Sequence, residues 1–250
     1  FSYSFALVIR YTMSILGVFF FFYLGSFVGT RPLAGTTDYF SYTLVGFAFS
    51  QYYGLVLVSL SKSLREDQLI GTIEPLMGSP VKPGMIVFGA SLFPLLDGLV
   101  LTTVQLSVGA LFFGADFQRA NWLGVLVLGL VGIAALQGLG IISATFVVLF
   151  KKGDPLTPLL AASSFIFTGV FFPYEQLPWF LRWLSYCIPT TYFIKGARQY
   201  IFHGADLFDP EAFVNVRVLL IFAALVVPIA IAFFTWAVRY ARRRGTLCHY

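Results

Sequence analysis

The sequence predicts an all-α membrane protein that crosses the bilayer six times, and three observations carry that prediction. First, 58% of the 250 residues are hydrophobic and only 11% are charged, against roughly 25% charged in a soluble domain. A water-soluble fold of this composition would have to expose wide apolar patches. Second, the apolar residues fall in runs of the length a helix needs to cross a bilayer, about 20 residues. Third, Lys and Arg gather mainly between those runs, so the formal charge of +5 reads as a topology signal and not as a nucleic-acid footprint. Lipid leaves no water for unpaired backbone groups, and at this span length only helices satisfy them. The chain reads as a single transmembrane domain, 1–250.

The first span is Phe5–Gly29. It is too long for the apolar core of a secretory signal, shows no small-residue cleavage site, and similar runs follow it. Arg10 lies close enough to its start to snorkel, and the "FFFFY" run at Phe19–Tyr23 is expected mostly to face lipid. The second span is Tyr39–Leu60. A charged interruption follows at residues 65–80, "REDQLIGTIEPLMGSP", inside a loop spanning 62–83. Leu69, Ile73 and Leu76 fall at i, i+4 and i+7, which predicts a short amphipathic helix. Thr72 can cap its final turns, and Pro75 lies in the tolerant first turn. Its polar residues are mainly acidic, which suits a protein partner better than an anionic lipid surface.

The third span is Met85–Phe113, with Pro94 as an expected kink and Asp97 three residues on. A carboxylate at mid-helix costs about 2.5–3.5 kcal/mol on insertion scales, so it must face protein or water. Two readings stay open for Asp97: part of a translocation path or proton site, or a buried hydrogen-bond partner for another helix. The fourth span is Trp122–Phe150. Gln51, Gln105 and Gln137 place amides inside spans, where hydrogen bonds between helices are expected. The fifth, Leu156–Phe172, is short and stops at Pro173.

Residues 173–215 form the long connection. Phe180, Trp183, Leu184 and Cys187 keep helical spacing, and after Pro189 the residues Phe193, Ala197, Tyr200 and Ile201 repeat it, with Lys195, Arg198 and Gln199 turned away. Each piece is too short to span and prolines punctuate them, which predicts two short amphipathic helices, re-entrant or interfacial. Trp179 and Trp183 suit the interface. The last span is Val216–Tyr240, followed by the "RYARRRG" tail.

Lys62, Arg65, Lys82, Lys151, Lys152, Arg239, Arg242, Arg243 and Arg244 fall on one side, which should be cytoplasmic together with both termini. Cys187 and Cys248 then lie on opposite faces and cannot pair within one chain. His203 and His249 stand alone in the sequence, so no metal site is expected. There is no G-x-x-x-x-G-K-[ST] phosphate loop, no G-x-S-x-G elbow and no H-E-x-x-H pattern. Neither ATP hydrolysis nor another enzyme activity is expected of this chain.

Two stretches carry a resemblance to a known family. "GTIEPLMGSPV", Gly71 to Val81, is similar to a Gly-Thr-Leu-Glu stretch ending in a Pro-hydrophobic pair. "TGVFFPYEQLPWFLRWLSYCIPTTYFIKGAR", Thr168 to Arg198, is similar to a pattern of Gly, Phe-Pro, Leu-Pro, Pro-Thr and a closing Arg. The chain resembles the permease subunits of type-2 ATP-binding-cassette (ABC) exporters, whose span order also matches. Family members usually carry an amphipathic cytoplasmic helix before the first span, and the residues here begin almost at that span. Leu69 and Ile70 stand where the family has more charge.

The resemblance implies that Arg65, Glu66, Asp67, Gln68, Gly71, Thr72, Ile73, Glu74, Leu76, Met77 and Pro80 dock on a separate ABC ATPase subunit. Gly169, Phe172, Pro173, Pro178, Pro189 and Arg198 would form an outer gate, with Asp97 a candidate on the path. ATP and Mg would sit on the ATPase, and this chain would bind no cofactor. A second permease chain, expected as a homodimer, and membrane lipids complete the partners; nucleic acid is not among them. The substrate class is an amphiphile (drug, lipid or glycan) exported across the plasma or inner membrane. The rival reading is a proton-coupled secondary transporter using Asp97, which predicts inverted repeats; no convincing internal repeat is present. A polytopic membrane enzyme, the third reading, lacks the polar chemistry.

Overall fold

A computed structural model describes residues 2–28, 38–72, 83–150 and 156–243. They form helices α1 (Ser2–Val28), α2 (Tyr39–Ile70), α3 (Pro83–Phe113), α4 (Trp122–Phe150), α5 (Leu156–Phe167), α6 (Trp179–Cys187), α7 (Pro189–Phe202) and α8 (Pro210–Arg243), with a 3-10 turn at Tyr174–Gln176. No strand occurs among the described residues, and α1, α2, α3, α4 and α8 are each long and apolar enough to cross a membrane. The chain is an all-α, multi-pass membrane protein.

α2 and α4 make the centre. Every residue from Tyr39 to Ser50 is buried, because the first half of α2 is largely apolar and is packed among α1, α3, α4 and α7. α4 meets its neighbours through glycines, which let backbones approach closely in membrane bundles. A Cβ on Gly138 would meet Val226 of α8 at 2.8 Å, and one on Gly140 would meet the Leu57 carbonyl of α2 at 3.4 Å. The outward faces remain apolar, as lipid requires, with Leu126, Leu130, Leu225 and Ile229 exposed. In the Phe19–Tyr23 run, Phe19, Phe20 and Tyr23 are exposed as expected. Phe21 instead turns into the core, its ring 4.8 Å from Phe47 and 5.7 Å from Phe171.

Three expectations need correction. The second span does not end at Leu60. α2 begins at Asp38, whose carboxylate accepts from the Ser41 N–H at 3.2 Å, and runs on to Ile70. It stops at Gly71, which takes the left-handed φ of 84° and donates its N–H to the Gln68 carbonyl. Arg65, Glu66, Asp67 and Gln68 therefore ride on the last turns of α2, and a separate amphipathic helix does not start there. The fifth span is also shorter than expected. α5 ends at Phe167, because Gly169 adopts φ 81°; the break precedes Pro173, which sequence reasoning took as the stop. Finally, α8 begins at Pro210, ahead of Val216, with Asp209 capping its first turn through the Glu211 N–H at 2.9 Å. Pro94 lies inside α3, which continues through it.

Candidate functional site

One face of α2 lines a cleft of about 900 Å³. Phe47, Gln51, Gly54, Val58, Lys62 and Glu66 recur along it at helical spacing, facing Arg10 of α1, Pro94 and Asp97 of α3, and Ala161, Ala162 and Phe165 of α5. By the rise of an α-helix, the stripe from Phe47 to Glu66 is about 28 Å long. Its lining is graded. The uncharged Phe47, Ser50, Gln51, Tyr53 and Phe165 stand toward the start of α2, whereas Ser59, Lys62, Ser63 and Glu66 stand toward its end. Asp97 adjoins Gly98, which packs on the Tyr52 ring, so it sits near the middle of the stripe.

Asp97 bonds to another helix, one of the two readings left open for it, and one of its partners is charged. The Arg10 guanidinium forms an ion pair with Oδ2, and the Tyr11 hydroxyl donates to Oδ1 at 3.0 Å. Arg10 therefore reaches across to α3 instead of snorkelling to the membrane surface. The Asp97 side chain is 8% exposed and that of Arg10 35%. Pairing is the physical reason: an acid and a base facing the same low-dielectric interior each lower the other's burial cost. Of the three amides expected to bond between helices, Gln105 and Gln137 do so, whereas Gln51 lines the cleft. Gln105 donates to Ser14 Oγ at 2.5 Å, and Ser91 donates to Gln137 at 3.2 Å.

The α6–α7 hairpin packs into the bundle. Tyr200, Gly196 and Phe193 of α7 pack in turn on Gly124, Leu128 and Gly132 of α4. Gly124 to Gly132 is about 12 Å along a helix, so α7 runs beside α4 for about that length. α6 closes onto α5 through Ser185, which donates to the Phe167 carbonyl at 2.7 Å. Pro178 precedes the first turn of α6 and Pro189 opens α7, where a missing N–H costs nothing.

Arg198 was expected on an outward face, and the structure buries it. Nη1 donates to the Gly169 carbonyl at 2.7 Å, while Nη2 donates to the carbonyls of Tyr42 at 2.9 Å and Val170 at 3.1 Å. The guanidinium lies 3.5 Å from the centre of the Tyr42 ring, a cation–π geometry. Tyr42 also donates its hydroxyl to the Gly169 carbonyl at 3.1 Å. Gly46 leaves the space for this clamp: a Cβ there would collide with the guanidinium and meet the Val170 carbonyl at 2.9 Å. Of the residues assigned to an outer gate, Gly169 and Arg198 are thus in direct contact. Phe172 and Pro173 follow the clamped turn, half-buried, and Pro178 and Pro189 act as helix starts. Nearby, Lys195 donates to the Tyr174 hydroxyl at 2.9 Å. Burial first, and the Glu175 carboxylate second, push the Tyr174 phenol above its usual range.

The segment between α2 and α3 is only partly described. Gln68, placed by the sequence among docking residues, is 2% exposed and donates to the Val147 carbonyl of α4 at 3.2 Å; it faces the bundle. Arg65 donates to Gln68 at 3.1 Å, Lys62 and Glu66 pair at 3.8 Å, and Thr72 donates to Asp67 Oδ1 at 3.0 Å. Leu69 and Ile70 are exposed. Ile73, Glu74, Leu76, Met77 and Pro80 lie outside the described residues. Sequence reasoning missed Tyr42, Tyr11 and Gly46 altogether; a tyrosine and a glycine inside apolar runs carry no local signal. Arg10 did carry one, since a base a few residues into a span requires an outlet for its charge.

A family model described as ABC-2 type transporter matches residues 10–202, from Arg10 of the cleft to the end of α7. No curated protein matches the chain.

Proposed function

The chain belongs to the ABC-2 type transporter family, and from that premise we propose that it is the membrane-spanning subunit of an ATP-driven exporter of amphiphiles. A separate ABC ATPase would supply the energy, holding the ATP and Mg, and would dock on the segment that joins α2 to α3. Two copies of the chain, cleft facing cleft, would enclose the path. Both termini and the docking segment would face the cytoplasm, across a plasma or inner membrane.

The observation that carries this reading is α2. It is a single helix from Tyr39 to Ile70 that lines the cleft from Phe47 to Glu66. Its outer end is bonded to the Arg198 clamp, and its inner end enters the proposed docking segment. A stiff helix of about 48 Å joining the two would carry an ATPase movement to the outer hairpin. The graded lining suits an amphiphile, with room for an apolar body beside Phe47 and Phe165 and for a polar head beside Ser59 and Lys62. The rival proton-coupled reading loses ground because Arg10 gives Asp97 a partner for its ionised form.

Gly54→Trp tests the path. Gly54 lines the cleft, and a Cβ there meets nothing within 4 Å, so an indole fills the cleft without disturbing the helix. Inside-out vesicles carrying the chain with its ATPase should take up a fluorescent amphiphile on addition of ATP. The variant should assemble normally and lose most of that uptake. Unchanged uptake by an assembled Gly54→Trp complex would remove the cleft from the path.

A further inference from the structure

A second cavity, of about 130 Å³, opens behind the Arg198 clamp at the outer hairpin. Tyr174, Glu175, Lys195, Arg198, Gln199 and His203 line it. Arg198 is 8% exposed, yet its hydrogen bonds all go to neutral carbonyls, and its Nε has no partner. Among the described residues no carboxylate lies within 4.0 Å of it. A buried cation is ordinarily matched by an opposite charge, because desolvation penalises it otherwise. The second base, Lys195, is held by Glu175 only at 3.9 Å, and that carboxylate is 52% exposed. Both cations thus border one small cavity whose sole lining acid leans toward solvent.

We propose that this cavity is an anion site, taking a single phosphate or carboxylate group beside Arg198 and Lys195. The volume admits a group of a few heavy atoms and excludes an acyl chain, so the ligand is either a free anion or the head of an amphiphile whose tail stays outside. Lys195 supplies the movable donor, Arg198 the fixed charge, and Gln199, His203 and the Tyr174 hydroxyl further polar contacts. Glu175 competes for the same donor. The site stands apart from the transport reading, since binding here requires neither an ATPase nor substrate movement.

The test uses the purified full chain in phosphatidylcholine nanodiscs. Inorganic phosphate, at ionic strength matched with chloride, should raise the unfolding midpoint. Lys195→Gln should weaken the apparent phosphate affinity by about tenfold or more, the worth of one charge-assisted hydrogen bond. Glu175→Gln, which removes the competing carboxylate, should strengthen it. His203→Gln, an exposed and milder change, gives a second variant should Lys195→Gln fold poorly, and it should weaken phosphate by a smaller factor. If phosphate has no effect, phosphatidylglycerol retained over phosphatidylcholine in native mass spectra, and lost in Lys195→Gln, assigns the site to a lipid head. A phosphate effect in phosphatidylcholine discs assigns it to a free anion. No response to phosphate and no preference for phosphatidylglycerol, or responses that the variants leave unchanged, would overturn the proposal.

Discussion

Replacing Asp97 by Asn removes one half of the ion pair that bridges α1 and α3. The amide keeps an acceptor for the Tyr11 hydroxyl, whose bond to Asp97 is 3.0 Å, so the loss falls on Arg10. Breaking a fully buried pair from one side costs about 3–5 kcal/mol. Arg10 is 35% exposed and borders an open cleft, so water recovers part of that, and a net cost of roughly 1–2 kcal/mol is expected. The unfolding midpoint should fall by about 2–8 °C for a chain of this size. Arg10→Gln alone should cost more, because it leaves the 8%-exposed carboxylate unmatched with little water to recover the loss. The double variant, Arg10→Gln with Asp97→Asn, should recover much of the loss, since it leaves no unpaired charge. A coupling of about 1 kcal/mol or more between the two changes is the signature, read by thermal unfolding of the purified chain in detergent. Simple additivity would refute the pairing. Complete loss of transport by Asp97→Asn with normal stability and assembly would instead assign Asp97 to the chemistry of the path.

Arg198→Lys should destabilise the outer hairpin by roughly 2–3 kcal/mol, because an ammonium cannot span three carbonyls and a ring face as a guanidinium does; faster amide exchange at residues 168–178 would show it, and exchange rates matching the parent would contradict the clamp. An impermeant thiol reagent applied to intact cells should modify Cys187, which is exposed, and should spare Cys248; modification of Cys248 from outside would invert the proposed orientation. Changing Ile73 and Leu76 together to Asp should leave insertion intact while abolishing co-purification with the ATPase, since truncating buried anchors costs more than about 2 kcal/mol each. Survival of both assembly and transport would reduce the segment to an ordinary loop.

Much of this protein was legible in its sequence because lipid imposes local rules. A bilayer demands long apolar runs and internally satisfied backbones, so the class and most of the spans could be read from hydropathy alone. Proline and helical spacing likewise announced α6 and α7. Pairing was another matter. Arg10 and Asp97 lie 87 residues apart, and Arg198 and Tyr42 lie 156 apart, so no window of sequence contains both partners. The periodic reading turned Arg198 outward because it equates a polar face with solvent, and the resemblance placed Gln68 on a docking surface. In a bundle surrounded on all sides, a polar side chain turns instead toward whatever carbonyl or carboxylate a neighbouring helix presents. The ends of α2 and α5 were misplaced for a related reason: two glycines took left-handed conformations, which glycine permits but does not require. Composition and local pattern decided what the chain is built for, since solvent acts on every residue alike. Only the packing of one helix against another decided which buried charges meet, because in a low dielectric each must find its partner in space.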